Sequence, residues 1–179
     1  MDPAERIVCV EDAAELAPAH PHVVRLVARA PNVEGVGEVS VRQLVRQALR
    51  MRPDRLVVGE VRGAEVIDLM TALNTGHDGG AGTIHANSPA EVPARLEALA
   101  ALGGMGRDAL HSQLAAAVQV VLHVHRSADG TRRLREIGVV DVDATGRVHI
   151  APAWSVDADP TPGEGRLLEL LDRRCGDAR

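Results

Sequence analysis

Three stretches of this chain end an apolar run on side chains capable of chemistry. Arg6–Val10 leads into Glu11 and Asp12, and Leu56–Val58 leads into Gly59, Glu60, Val61 and Arg62. Gly82–His85 carries Thr83 and His85, with Asn87 just beyond. A strand that ends in this way sets its polar residues at the carboxyl edge of a parallel sheet, where open α/β folds hold their ligands. Two acidic strand ends, an imidazole and small polar groups around one crevice suit a magnesium-bound phosphate. Carboxylates hold the ion's waters or orient an attacking water, and the imidazole senses the outermost phosphate.

Each signal is weak when taken singly. A glutamate at a strand end is more often a solvated surface acid, and a lone histidine is more often a hydrogen-bonded structural residue. Arg25 and Arg62 are the arginines nearest the acidic strand ends and are the candidates for phosphate contact. Arg42, Arg46 and Arg50 recur every four residues, the pattern of a solvated helix face. His123 and His125 share one face of a strand, but no third ligand accompanies them. His77 and Asp78, taken with His85, form an alternative metal set. The glycine-rich loop between them argues instead for a flexible switch.

The rest of the chain must position these groups. Its 179 residues, 45% hydrophobic and 25% charged, suffice for one packed domain and a tail. No run of 18 apolar residues occurs, and the acidic start "MDPAERIVCVEDAAEL" lacks the pattern of a secretory signal, so a soluble, cytoplasmic protein is expected. Cys9 lies in an apolar run and Cys175 in the polar tail, which implies neither a disulfide framework nor a metal spacing. All 20 basic residues are arginine, net charge is −5, and Trp154 is the sole aromatic residue. Broad attraction to nucleic acid and base stacking are therefore not expected.

Strand-length apolar runs alternate with helical periods, the signature of an α/β fold with a parallel sheet. Strands are expected at Arg6–Val10, His22–Ala28, Leu56–Val58 and Gly82–His85, the last of them buried. Pro31–Val39 reads as a loop. Ser40 begins a helix with Gln43 as capping-box partner, and Pro53 stops it. Ala64–Thr75 forms a second helix, ended by Gly76. Ser88, Pro89 and Glu91 predict a cap, first-turn proline and capping box for a helix to about Leu102, and Asp108–Ala117 forms another. Strands at Val118–His125, Arg133–Asp141 and Val148–Ala151, joined by turns at Ser127–Thr131 and Asp143–Gly146, predict an antiparallel meander appended to the parallel sheet. The domain is expected over residues 1–153. Residues 154–179 read as linker and tail, with "RLLELLDRR" giving one helical turn or two.

Taken together, "RIVCVEDAAEL", "PHVVRLVARAPNVEGVGEVS" and "RMRPDRLVVGEVRGAEVIDLMTALNTGHDGGAGTIHANSP" resemble the secretion ATPases of type II and type IV secretion systems. The nearest likeness is to the branch serving tight-adherence (Flp) pili and conjugal transfer, and it runs from about Pro3 to Val140. The resemblance implies a RecA-like P-loop NTPase core, ATP and Mg2+ as cofactors, a homo-hexamer, and a place on the cytoplasmic face of inner-membrane machinery. By the same likeness Glu11 and Asp12 belong to an acidic box, with Glu11 activating water. Gly59 and Glu60 end a Walker B strand, so Glu60 serves the metal. Gly76, His77 and His85 fall in a histidine box that couples the state of the terminal phosphate to subunit movement.

One departure stands out. The family's Walker A loop, G-x-x-x-x-G-K-[ST], needs a lysine, and this chain has none. The resemblance places that loop shortly upstream of the acidic box, and its strand between those of His85 and Val120. A truncated RecA-like core is therefore expected, with weak ATP binding, little activity and poor stability alone. Two other readings stand beside the motor domain: a non-catalytic module that joins or regulates a secretion ATPase ring, and a small metal-dependent hydrolase built on His77, Asp78 and His85.

Overall fold

The computed structural model describes residues 2–77, 79–158 and 161–176. At its centre lies β1 (Ile7–Glu11), all five residues of which are buried. A strand reads as a continuous apolar run when both of its faces and both of its edges are covered, and β1 meets both conditions. β2 (Val23–Val27) pairs along one edge and β3 (Arg55–Val58) along the other, both parallel. β4 (Ala81–Gly82) adds to β3, giving the order β2-β1-β3-β4.

Four helices share its core: α1 (Val41–Arg50) packs directly on β1, β2 and β3, α2 (Glu65–Leu73) on α1, and α3 (Val92–Leu102) and α4 (Arg107–Ala117) on α2. The capping box of α1 forms as its sequence predicts. The Gln43 N–H donates to Ser40 Oγ at 3.3 Å, and the Ser40 N–H donates to Gln43 Oε1 at 2.8 Å. Val45 and Ala48 face the core with Val8, Val10, Leu56 and Val58. The arginine face of α1 is not merely solvated. Arg42 and Arg46 each place Nε 2.7 Å from the Asp68 carboxylate and so tie α1 to α2.

β5 (Val120–Arg126), β6 (Arg132–Val142) and β7 (Val148–Ser155) form a separate antiparallel sheet, so the expected meander is present but is not an extension of the parallel one. It is joined to the main body through the core, where Val148 and Ile150 pack with the helices. Buried His111 on α4 fixes this joint. Its Nδ1 accepts the Val148 N–H at 2.8 Å, so its Nε2 carries the proton donated to Glu97 Oε1 of α3, also at 2.8 Å.

Three further expectations are corrected. The strand predicted over Gly82–His85 shrinks to Ala81–Gly82, and it is exposed rather than buried because β4 lies at the sheet's edge. Ser88 makes no side-chain cap. The chain enters α3 through a short 3-10 turn, Pro89–Glu91, and the Glu91 carboxylate accepts from Asn87 Nδ2, 2.9 Å away, rather than from the Ser88 N–H. The tail forms α5 (Glu164–Gly176), 13 residues rather than one or two turns. Gly163 seats it on the second sheet, donating its N–H to Pro152 O at 2.7 Å. Asp159 and Pro160 of the expected linker, and the side chain of Cys175, lie outside the described residues. Among the described residues no helix is long and apolar enough to cross a membrane.

The two serines separate real from apparent capping. Ser40→Ala should cost about 1 kcal/mol in urea denaturation, while Ser88→Ala, which removes no cap bond, should leave the midpoint unchanged. Equal losses would contradict the assignment.

Candidate functional site

Parallel pairing of β1 with β3, in the register Val10 to Val58, brings the residues that follow each strand side by side. Glu11 folds over Gly59 so closely that a Cβ there would sit 2.8 Å from Glu11 Cγ, which explains glycine at that position. Glu11 is only 2% exposed. Its Oε1 accepts the Glu15 N–H at 2.9 Å and the Leu16 N–H at 2.7 Å. Its Oε2 is buried with no partner. An unpaired buried carboxylate oxygen is costly, about 1–3 kcal/mol or more, and such an atom calls for a ligand. Glu11, Asp12, Glu15, Gly59, Glu60 and Arg62 line a cavity of about 110 Å3.

Glu60 is held from two sides. Its Oε2 accepts from the Arg62 guanidinium, and its Oε1 lies 3.1 Å from His85 Nε2. Arg62 also reaches Asp12, with Nη1 3.0 Å from Oδ2. The hydrogen bond from Arg62, helped by the charges of Arg62 and His85, holds the Glu60 carboxyl below the usual glutamate range. His85 reaches the rim because the chain beyond β4 stays extended: the Val61 N–H donates to Thr83 O at 2.9 Å, and Thr83 Oγ1 donates to Gly59 O.

The structure therefore brings Glu11, Asp12, Glu60, Arg62 and His85 to one rim. It does not bring Gly76 or His77 there, and Arg25 reaches only the backbone of Leu16, a residue that lines the cavity, without touching the acids. Gly76, at φ +89°, lies between α2 and β4, on the amino-terminal side of the parallel strands, and His77 Nδ1 lies 3.1 Å from Ala72 O. The glycine loop beyond them rests against the start of β3, where a Cβ on Gly79 would meet Arg55 Nη1 at 2.2 Å. Arg25 pairs with Cys9 in mid-strand and donates to Leu16 O at 3.3 Å. The alternative metal set is not assembled: His77 precedes β4 and His85 follows it, off opposite ends of the strand, and Asp78 is outside the described residues. No group of three or more His, Cys, Asp or Glu stands at metal-holding geometry among the described residues. His123 and His125 sit on β5 opposite Glu136 and Arg133.

Sequence reasoning passed over Glu65. Its Oε1 accepts the N–H groups of Arg62 and Gly63, each at 2.7 Å, and so pins the loop that carries Glu60 and Arg62. The available signal was an acid in the first turn of a helix, three residues beyond Arg62, where free backbone N–H groups favour a carboxylate.

A parallel sheet with acids and an imidazole on its carboxyl rim defines an α/β protein whose ligand site lies at the strand ends. The family model described as type II/IV secretion system protein matches residues 1–166, and the chain belongs to that family. A Mycobacterium tuberculosis (strain H37Rv) protein, named as a candidate conjugal transfer protein, is 68% identical over 175 residues, covering 98% of this chain and 49% of its own. The conjugal transfer protein TrbB of Rhizobium radiobacter is 36% identical over 135 residues, covering 75% and 39%. Among solved structures, the VirB11 ATPase of the Brucella suis type IV secretion system, in complex with sulphate, is similar at a TM-score of 0.65 and 29% identity. That match covers 78% of this chain and 41% of the other. These matches bear out the resemblance to secretion ATPases and the RecA-like α/β fold class. The chain spans about half the length of the mycobacterial relative or less of the others.

The depressed Glu60 carboxyl sets a pH dependence. Stability from its pairing with Arg62 is present above the ordinary glutamate pKa and is lost as pH falls through the lower folded value. Carboxyl-detected NMR should show the Glu60 midpoint rising toward the ordinary value in Arg62→Gln; an unchanged midpoint would contradict the pairing.

Proposed function

We propose that this chain is part of a secretion or pilus-assembly ATPase, and that its rim is the catalytic half of a nucleotide site. The observation that carries the reading is the unpartnered Glu11 Oε2, buried beside Glu60, Arg62 and His85 in a member of a secretion family. The donor set fits magnesium: Glu60 and Asp12 would hold the ion through carboxylate oxygens and its waters. Bound there, the ion would neutralise charge on the phosphates. Glu11, its other oxygen fixed by two backbone N–H groups, takes the proton of an attacking water. His85 and Arg62 meet the terminal phosphate.

The residues present do not fit a whole nucleotide. A cavity of about 110 Å3 compares with roughly 300–1,000 Å3 for ordinary ligand pockets, and no lysine exists to meet the phosphates. We therefore assign the phosphate-binding loop to sequence outside this chain, and expect this chain alone to bind ATP weakly and to be inactive. Two features support a further strand between the sheets. β4 has an open edge, and on β5 Leu122 and Val124 stand 62% and 54% exposed. We also propose a homo-hexamer on the inner face of a membrane secretion machine, as the family resemblance implies, with no nucleic acid among its partners, a reading supported by the net charge of −5 and the single aromatic residue. Gly76 and His77 act away from the rim, and Arg25 beside it, at the Leu16 carbonyl.

The exposed β5 face also favours a second reading, a non-catalytic module that joins a ring of ATPase subunits. The bases upstream of the Met1 codon separate the two. An in-frame G-x-x-x-x-G-K-[ST] supports the motor, and an in-frame stop with good expression supports the module. In a protein carrying that loop, Glu11→Gln should lower the rate of phosphate release by about 10²–10⁴-fold; full activity would remove Glu11 from the chemistry.

A further inference from the structure

We propose that Arg62 is an internal competitor of the divalent cation: its guanidinium holds the same carboxylate oxygens that the cation would take, so that the two exclude one another at the rim. The proposal rests on the reading of this rim as a metal-bound phosphate site and adds a control on it.

Three observations carry it. First, Arg62 spans two acids at once, bonding Glu60 Oε2 and placing Nη1 3.0 Å from Asp12 Oδ2. Second, a buried acceptor is already waiting beside them: Glu11 Oε2 has no partner, lies on a side chain 2% exposed, and belongs to a residue lining the same cavity, where it can accept from a water of the cation's shell. Carboxylate oxygens of this kind suit a hard divalent cation. Two of the three acids are turned to a guanidinium, in keeping with the lack of any ready-made three-ligand group among the described residues.

Third, Arg62 can leave without disturbing the fold. Its side chain is 63% exposed, whereas its backbone is fixed, because Glu65 Oε1 accepts the N–H groups of Arg62 and Gly63. The exchange is confined to one side chain swinging on an anchored loop. An exposed ion pair is weak, so a divalent cation can displace it. Once released, the guanidinium has a planar fork of donors suited to phosphate oxygens. Arrival of the cation and availability of the arginine are thereby coupled. Until a phosphate arrives, His85 stays on the other oxygen of Glu60 and keeps that carboxylate in place.

Mn2+ binding to the 179-residue chain without nucleotide, followed by the electron paramagnetic resonance signal of free Mn2+, tests this. Arg62→Gln should tighten binding about threefold to tenfold. Arg25→Gln removes the same charge nearby without touching these acids, and should change binding less than about twofold. Arg62→Lys keeps the charge but not the fork and should fall between. In the wild-type chain, Mg2+ should also shift the Arg62 Nε–H NMR resonance. An Arg62→Gln effect no larger than that of Arg25→Gln, or an unmoved Arg62 resonance at saturating Mg2+, overturns the proposal. Loss of Mn2+ binding in Glu60→Gln would then leave the metal reading of the rim standing. No Mn2+ binding by any variant overturns both.

Discussion

The parallel pairing of β1 with β3 is the constraint on which the rest of the site depends. It sets two acidic strand ends in adjacent positions, and it works only because Gly59 has no side chain. Any Cβ there would meet Glu11 Cγ at 2.8 Å and push the buried carboxylate off its two backbone donors. A slip by one residue would carry Val8 and Val10 from the main core cluster to the face of Ile7 and Cys9 and would part Glu11 from Gly59. Core packing and site chemistry are thus the same fact seen from two ends of one strand.

Around this pair the rim is balanced by charge rather than closed by packing. Glu11 and Glu65 are buried and take their hydrogen bonds from the backbone, so they define where the loops run. Asp12, Glu60, Arg62 and His85 are more exposed and satisfy one another. Groups of the first kind cannot move without unfolding their loops. Groups of the second kind exchange partners at little cost, because solvent screens their pairing. A fixed frame carrying exchangeable ions is what a site that binds and releases a charged ligand requires.

Much of this was legible in the sequence, and the misses have identifiable causes. The Arg6–Val10 run, the Ser40 and Gln43 cap and the acidic strand ends could be read because each depends on neighbours within a few residues. The Ser88 capping box could not, because Glu91 had a competing partner in Asn87. His77 and His85 look adjacent at eight residues apart, yet they flank β4, one before its start and the other beyond its end, and only the latter reaches the carboxyl rim. The length of β4 was illegible for another reason: a strand is as long as its pairing, and β4 pairs on one side only. Glu65 was missed because a helix-start acid has a local explanation that hides its service to Arg62.

Amide NMR during addition of Mn2+ tests most directly whether the strand ends form one cation-seeking rim. Paramagnetic broadening should appear first at Asp12, Gly59, Glu60 and Arg62 and spread to His85, while Gly76, His77 and Arg55 stay sharp. Broadening that begins at the glycine loop by Arg55, or that spreads evenly over the acidic surface, would contradict the account.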